Sequence, residues 1–221
     1  MAEERTIAVG SHGRYLVAPP AGGTPSATGA PLLVGLHGYA EDAELHLERL
    51  RSIPGADRWL IVSVQGLHRF YRGRSRDVVA SWMTRQNRDL MIPDNLSYVS
   101  AVIDDVGREW GAGTTLVFAG FSQGVAMAFR AAALGRHQAN GIVALGGDVP
   151  PELETPSLAR IPEALIGRGE RDDWYTAQKF SEDEARLRAA GTNVVMTTVD
   201  AGHEWTADFS RVAAAFLVRL A

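Results

Sequence analysis

The sequence predicts an α/β fold, a mostly parallel central sheet with helices on both faces. Three observations predict it. Short continuous runs of apolar or β-branched residues recur from about residue 31 onward, the pattern of strands covered on both faces. Segments of helical period separate these runs. The length, 221 residues, suits one domain spanning 1–221. Alternation of this kind implies βαβ units joined by right-handed crossovers.

The elements follow in order. Thr6–Val9 and Arg14–Ala18 read as short strands of a hairpin around the turn signal Ser11-His12-Gly13. Pro19–Pro31, rich in Pro, Gly, Ser and Ala, reads as a flexible connection. Leu32–Leu36 is a buried-type strand, Ala43, Leu47 and Leu50 mark one face of a helix, and Trp59–Val64 is a second strand. Leu67–Ile92 breaks the rhythm. It lacks clean periodicity, carries six arginines and three aromatics, and is expected to be a long irregular loop, a feature often tied to function. A helix is expected to start at Pro93-Asp94 and carry Leu96, Val99, Ile103, Val106 and Trp110 on one face. Leu116–Gly120 is the next strand, followed by an Ala-rich helix over Val125–Leu134. Gly141–Leu145, Ala164–Gly167 and Asn193–Val199 complete the strands. Phe209, Val212, Ala213, Phe216, Leu217 and Leu220 give the last helix its apolar face. These stripes read as core.

Composition narrows the function. The chain has 46% apolar and 22% charged residues, enough apolar surface to exclude disorder. It contains no cysteine, which excludes disulfides, thiolate nucleophiles and Cys-ligated metals. The net charge of −4 argues against a phosphate-contacting nucleic-acid binder. No apolar run approaches the ~18 residues of a membrane span. The longest, Val212–Val218, is bounded by Arg211 and Arg219. The start, Met-Ala-Glu-Glu-Arg, lacks the apolar stretch of a secretory signal. The expectation is a cytoplasmic protein, monomer or homodimer, without stable membrane insertion and without a cofactor. No metal-binding or Walker motif is evident.

Gly120-Phe121-Ser122-Gln123-Gly124 carries the chemistry. It follows the apolar run Thr115–Ala119 and opens the Val125–Leu134 helix. A nucleophilic serine needs this strand–turn–helix, which projects its Oγ from the sheet edge. Glycines at both ends let the strand and helix backbones approach. The helix N-terminus adds partial positive charge beside a developing oxyanion. A serine also needs a base. Of six histidines, only His137 and His203 follow Ser122. His137 lies just past the Ala-rich helix and reads as a partner of its C-terminal dipole. His203 follows the strand ending at Val199, where a base has to sit. The acid falls between Ser122 and His203 in chain order. Asp172, in the turn-rich Gly169–Trp174 stretch, is preferred. Asp173 reads as a cap for the next helix, and Asp148 is a further candidate acid. The oxyanion donors are the N–H of Gln123 and, from the loop Leu36-His37-Gly38-Tyr39-Ala40, that of Tyr39. His37 reads as a structural hydrogen-bonder.

These residues resemble the α/β-hydrolase superfamily and, within it, the phospholipase/carboxylesterase family that includes the acyl-protein thioesterases. The resemblance runs from Leu32 to Ala221. It rests on Leu36-His37-Gly38, Gly120-Phe121-Ser122-Gln123-Gly124, Gly169 through Asp172, and Gly202-His203-Glu204. It implies a metal-free serine hydrolase of carboxylic or thio esters, with Ser122, Asp172 and His203 as the triad and Tyr39 and Gln123 at the oxyanion. Family members often carry His-Gly before the acid's turn and Val-Pro after it. Here Arg168-Gly169 and Trp174-Tyr175 stand there, and Ala40-Glu41-Asp42 replaces the usual Gly-rich stretch.

Tyr39, Trp82, Trp174 and Trp205 are expected on loops near the strands' carboxyl ends. As pocket walls they would favour small or medium acyl or aryl groups; as core they would close the upper edge of the sheet. Arg69, Arg72, Arg74, Arg76, Arg85 and Arg88 either hold an anionic substrate tail or form a solvated face. The expected function is ester hydrolysis of a small-molecule substrate through an acyl-enzyme. Lysophospholipase or acyl-thioesterase activity is the alternative within the fold, and ligand binding without turnover is the alternative of another class.

Overall fold

A computed structural model describes residues 1–22 and 29–221. Seven strands form one sheet in the order β1-β3-β2-β6-β7-β8-β9. They are β1 (Arg14–Ala18), β2 (Ala30–Leu36), β3 (Leu60–Gln65), β6 (Ala112–Phe121), β7 (Gly141–Leu145), β8 (Glu163–Gly169) and β9 (Asn193–Val199). Only β1 runs antiparallel to its neighbour, with Arg14 opposite Gln65. The other pairs are parallel, with Leu33 opposite Ile61 and Val117, and Gly167 opposite Thr197. β2, β3 and β7 are buried along nearly their whole length, which explains their largely apolar composition.

Alternate side chains feed two cores. Leu32, Val34, Leu36 and Phe118 face α2 (Arg88–Trp110), α3 (Gln123–Leu134) and α5 (Ala177–Ala189). Leu33, Val117, Ala119 and Phe121 face α1 (Ala43–Arg51) and α6 (Ala207–Leu220). A one-turn helix, α4 (Thr155–Leu158), precedes β8. Side-chain caps mark the starts of α1, α5 and α6. Asp42 accepts the Leu45 N–H at 2.8 Å to begin α1, and Thr206 accepts the Phe209 N–H at 3.2 Å to begin α6. Gly111, at φ 63°, ends α2 in the left-handed region.

The structure corrects four expectations. Thr6–Val9 forms no strand. Ile7 and Val9 lie in solvent, since a four-residue arm on an outer edge buries too little to hold a hairpin. Gly13 is no turn residue either; it lies under the Tyr98 ring, which a Cβ would meet at 1.9 Å. The irregular loop expected over Leu67–Ile92 is an antiparallel hairpin, β4 (His68–Tyr71) with β5 (Val78–Ser81), followed by the first turn of α2. That helix starts at Arg88, not at Pro93-Asp94, and carries Pro93 inside it. Proline there forgoes one backbone bond, and burial of Val99, Val102, Ile103 and Val106 offsets the loss. Within the connection expected over Pro19–Pro31, residues 23–28 lie outside the described residues.

Candidate active site

The carboxyl ends of β2, β6, β7, β8 and β9 converge on one edge of the sheet. Ser122 follows β6 at φ 52° and ψ −120°, a conformation that a residue with a side chain holds only under constraint. The constraint is visible. The Ser122 N–H donates to the Leu145 carbonyl at 2.9 Å, and its carbonyl accepts the Val125 N–H at 3.0 Å. The flanking glycines are sterically required. A Cβ on Gly120 would meet the Gly124 oxygen at 2.6 Å, and one on Gly124 would meet the Leu36 oxygen at 1.9 Å.

Asp172 lies in the loop after β8 and is buried. Its Oδ1 accepts the N–H groups of Trp174 at 3.0 Å and Tyr175 at 2.9 Å, which leaves Oδ2 aimed at the imidazole. Arg168 braces this loop from beneath. Its guanidinium donates to the carbonyls of Tyr175 at 3.2 Å and Glu170 at 3.1 Å. The following Tyr175 is also buried, and its hydroxyl donates to the Asp183 carboxylate at 3.0 Å. Burial, with that carboxylate beside it, raises the Tyr175 hydroxyl's pKa well above its ordinary value. His203 lies in the loop after β9. The two loops pass so closely that a Cβ on Gly169 would fall 2.0 Å from the Gly202 oxygen. The Arg171 N–H ties them together by donating to Ala201 O at 2.9 Å.

Ser122, His203 and Asp172 form a continuous row. His203 Nδ1 stands 2.8 Å from Asp172 Oδ2, and Nε2 stands 2.8 Å from Ser122 Oγ. An ionised carboxylate only accepts, so Nδ1 carries the proton and Nε2 presents its lone pair to the hydroxyl. The Phe121 ring packs on the imidazole at 5.1 Å between centroids. Gly146, at φ 68°, passes under it, where a Cβ would lie 3.2 Å from His203 Cε1. Asp173 is exposed and caps nothing; Thr176 caps α5 instead, accepting the Lys179 N–H. Asp148 stands 3.9 Å from Lys179 and does not meet the imidazole.

The loop after β2 packs against the residues that flank Ser122: a Cβ on Gly38 would lie 3.2 Å from the Phe121 ring, and one on Gly124 2.7 Å from the His37 oxygen. His37 Nε2 accepts the Gly66 N–H at 2.9 Å, so the proton is on Nδ1, 2.6 Å from the Gly38 oxygen. Burial lowers its pKa and keeps it neutral. Tyr39 projects into solvent, its ring centroid 5.7 Å from that of Phe70. The Gln123 side chain holds the strand-end segment on the other side. Its Oε1 accepts the Trp82 N–H at 3.0 Å, and its Nε2 donates to Met83 O at 3.0 Å.

The other expected residues separate. Trp82 is fully buried, donating its indole N–H to His37 O at 2.9 Å; it is core, not a pocket wall. Trp205 donates to Ser210 Oγ at 2.9 Å and packs on Phe209 and His46, turned towards a groove between α1 and α6. Trp174 alone of the three is well exposed, with Lys179 over its ring at 5.2 Å. His137 does not serve the end of α3. It reaches Asp104 of α2 at 3.1 Å, and Arg160 binds the terminal carbonyls of α3 instead, at Ala133 and Gly135. Arg69 and Arg72 donate to the backbone at His12 and Ala40, and Arg88 pairs with Glu152 at 3.4 Å. Sequence reasoning missed Arg168, the Gln123 side chain and an ion pair between Glu41 and Arg49. The replaced family positions at Arg168 and Glu41 were the available signal. Among the described residues, no cluster of three or more His, Asp or Glu is placed to hold a metal ion, and no helix is long and apolar enough to cross a membrane.

The family model described as Phospholipase/Carboxylesterase matches residues 25–220. The chain belongs to this family. It is a carboxylic ester hydrolase of the α/β-hydrolase fold. Solved structures share that fold at low identity. The esterase PE8 is similar at 20% identity and a TM-score of 0.74, over 96% of this chain and 100% of that one. The Bacillus cereus carboxylesterase is similar at 17% identity and a TM-score of 0.71, over 95% of each chain. SOBER1 of Arabidopsis thaliana is similar at 15% identity and a TM-score of 0.69, over 86% of this chain and 98% of that one. No protein of curated function matches the sequence.

Proposed function

We propose that this hydrolase cleaves carboxylic esters of small or medium acyl or aryl groups, with Ser122 as nucleophile, His203 as base and Asp172 as the orienting acid. One observation carries this reading: both imidazole nitrogens stand 2.8 Å from their partners, in a row at the sheet edge. Nε2 takes the Ser122 proton as Oγ attacks the ester carbonyl. Asp172 stabilises the imidazolium that forms. The N–H groups of Gln123, at the start of α3, and of Tyr39 receive the oxyanion. His203 then returns the proton to the leaving alkoxide. Water attacks the acyl-enzyme by the same route and frees Ser122.

The exposed rings of Tyr39 and Trp174 support an acyl or aryl group held at the rim of an open site. A series of p-nitrophenyl esters of increasing acyl length, run beside an acyl thioester and a lysophospholipid, tests the reading. The short and medium esters are expected to have the highest kcat/KM, and Ser122→Ala is expected to abolish turnover. Preferred cleavage of the thioester or the lysophospholipid would reassign the substrate. Failure of every ester would leave ligand binding without turnover.

A further inference from the structure

The loop that carries Tyr39 is held by a charged clamp that no part of the proton-transfer row requires. Glu41 and Arg49 lie four-fifths or more buried, with 14% and 16% of their side chains exposed. Arg49 binds Glu41 through two parallel bonds, Nη1 to Oε2 at 2.7 Å and Nη2 to Oε1 at 2.8 Å. Glu41 Oε2 also accepts the Gly38 N–H at 2.8 Å, across the turn that presents Tyr39. The Arg49 guanidinium lies 4.4 Å from the centre of the Phe121 ring, and that ring packs on His203. On the far side Glu41 bridges to β5: Ala40 N–H donates to Ala80 O at 3.0 Å, and Ala80 N–H to Glu41 O at 2.8 Å. Ala40 is held at φ 58°, so the turn does not relax to this shape unaided.

We infer that Glu41 and Arg49 are positioning residues for the oxyanion site. Their pair fixes the Tyr39 N–H relative to Ser122 by joining the turn after β2 to the ring that precedes the nucleophile. A bidentate guanidinium–carboxylate contact has the geometric rigidity this requires, and a monodentate lysine does not. The inference rests on the proposed role of Tyr39 and Ser122. The clamp acts where charge develops, so its loss is expected in kcat rather than in KM.

The test compares Glu41→Ala, Glu41→Gln, Arg49→Met and Arg49→Lys with the parent protein, all checked for folding by circular dichroism and thermal melting. Steady-state hydrolysis of p-nitrophenyl butyrate is measured beside inhibition by a phenylboronic acid, which forms a tetrahedral adduct with a nucleophilic serine. Loss of one oxyanion donor costs on the order of 100-fold or more, so partial misplacement is expected to lower kcat roughly 10- to 50-fold in Glu41→Ala and Arg49→Met. KM is expected to stay near the parental value, and boronate affinity to fall in proportion to kcat/KM. Glu41→Gln keeps an acceptor for the Gly38 N–H and is expected to retain more activity than Glu41→Ala. Parental kcat in both Glu41→Ala and Arg49→Met overturns the inference. So does a loss confined to KM, or a loss of kcat with boronate affinity unchanged. If Glu41→Ala fails to fold, the milder Arg49→Lys and Glu41→Gln variants decide by the same two measurements. A parent protein with neither turnover nor boronate binding would instead defeat the proposed function itself.

Discussion

Replacing Gly124 with Ala places a methyl carbon 1.9 Å from the Leu36 oxygen, 2.5 Å from its carbonyl carbon and 2.7 Å from the His37 oxygen. An unstrained contact is roughly 3.5 Å, so elbow and strand end must separate by about 1.5 Å. All three atoms are backbone, and Leu36 ends a strand hydrogen-bonded on both sides. No rotamer change relieves the overlap. Overpacking a rigid site costs about 1–3 kcal/mol, and the upper end applies here. For a domain of this size that is a fall of roughly 6–12 °C in melting temperature. The same separation moves Ser122 away from the loop bearing Tyr39. A displacement near 1 Å costs on the order of 100-fold in rate, so kcat for a p-nitrophenyl ester is expected to fall by about that factor. Differential scanning calorimetry and steady-state kinetics on one preparation measure both. A variant melting within ~2 °C of the parent and turning over within about twofold of it would refute the reasoning.

Further outcomes follow from other contacts. Gln123→Ala keeps the backbone N–H proposed to receive the oxyanion but loses the side chain's bonds to Trp82 and Met83, so a loss of about 1–3 kcal/mol is expected in urea titration, with a milder kinetic effect than Gly124→Ala. Arg168→Met frees the acid loop's carbonyls and is expected to cost about 2–3 kcal/mol and to lower kcat, read by the same two methods. His46 is buried, and desolvation pushes its pKa down to about 3. The unfolded chain binds a proton there near pH 6.5 and the folded chain does not, so stability falls as pH drops from about 6.5 towards 3, by up to ~1.4 kcal/mol per pH unit. His46→Leu is expected to flatten that part of the pH–stability curve, measured by urea midpoints; curves that stay parallel would contradict it. Trp174→Ala, at an exposed ring, is expected to change stability by less than ~0.5 kcal/mol while raising KM for aryl esters.

The central sheet was readable because burial on both faces writes a simple pattern. β2, β3 and β7 are apolar almost without interruption, and their ends place the loops that carry the site. Ser122 was readable for a steric reason, since only glycine fits at positions 120 and 124 beside a strand–turn–helix. The β4–β5 hairpin was not. Its strands are four residues each, and in β4 the exposed Arg69 and Tyr71 alternate with half-buried His68 and Phe70. Pairing partners across the arginine-bearing turn decide its structure, not local periodicity. The start of α2 was misplaced because Pro93 is a strong start signal, while packing of residues up to thirteen positions later holds the helix together through it. The tryptophans were ambiguous for a related reason. Trp82 and Trp174 both flank strand ends, yet one is sealed by contacts with His37 and Gln123 and the other lies in solvent. Arg168 and Glu41 act on the backbone of the turns they adjoin, Arg168 at Glu170 and Tyr175 and Glu41 at Gly38, and a charged residue beside a turn reads in the sequence as a solvated one.

The most direct measurement is the site of covalent capture by a fluorophosphonate, read by peptide mass spectrometry. The expected adduct is on Ser122, absent in Ser122→Ala and greatly slowed in His203→Ala and Asp172→Asn, each still folded. An adduct on another residue, or labelling of Ser122 at an undiminished rate without His203, would contradict a hydroxyl activated by this imidazole.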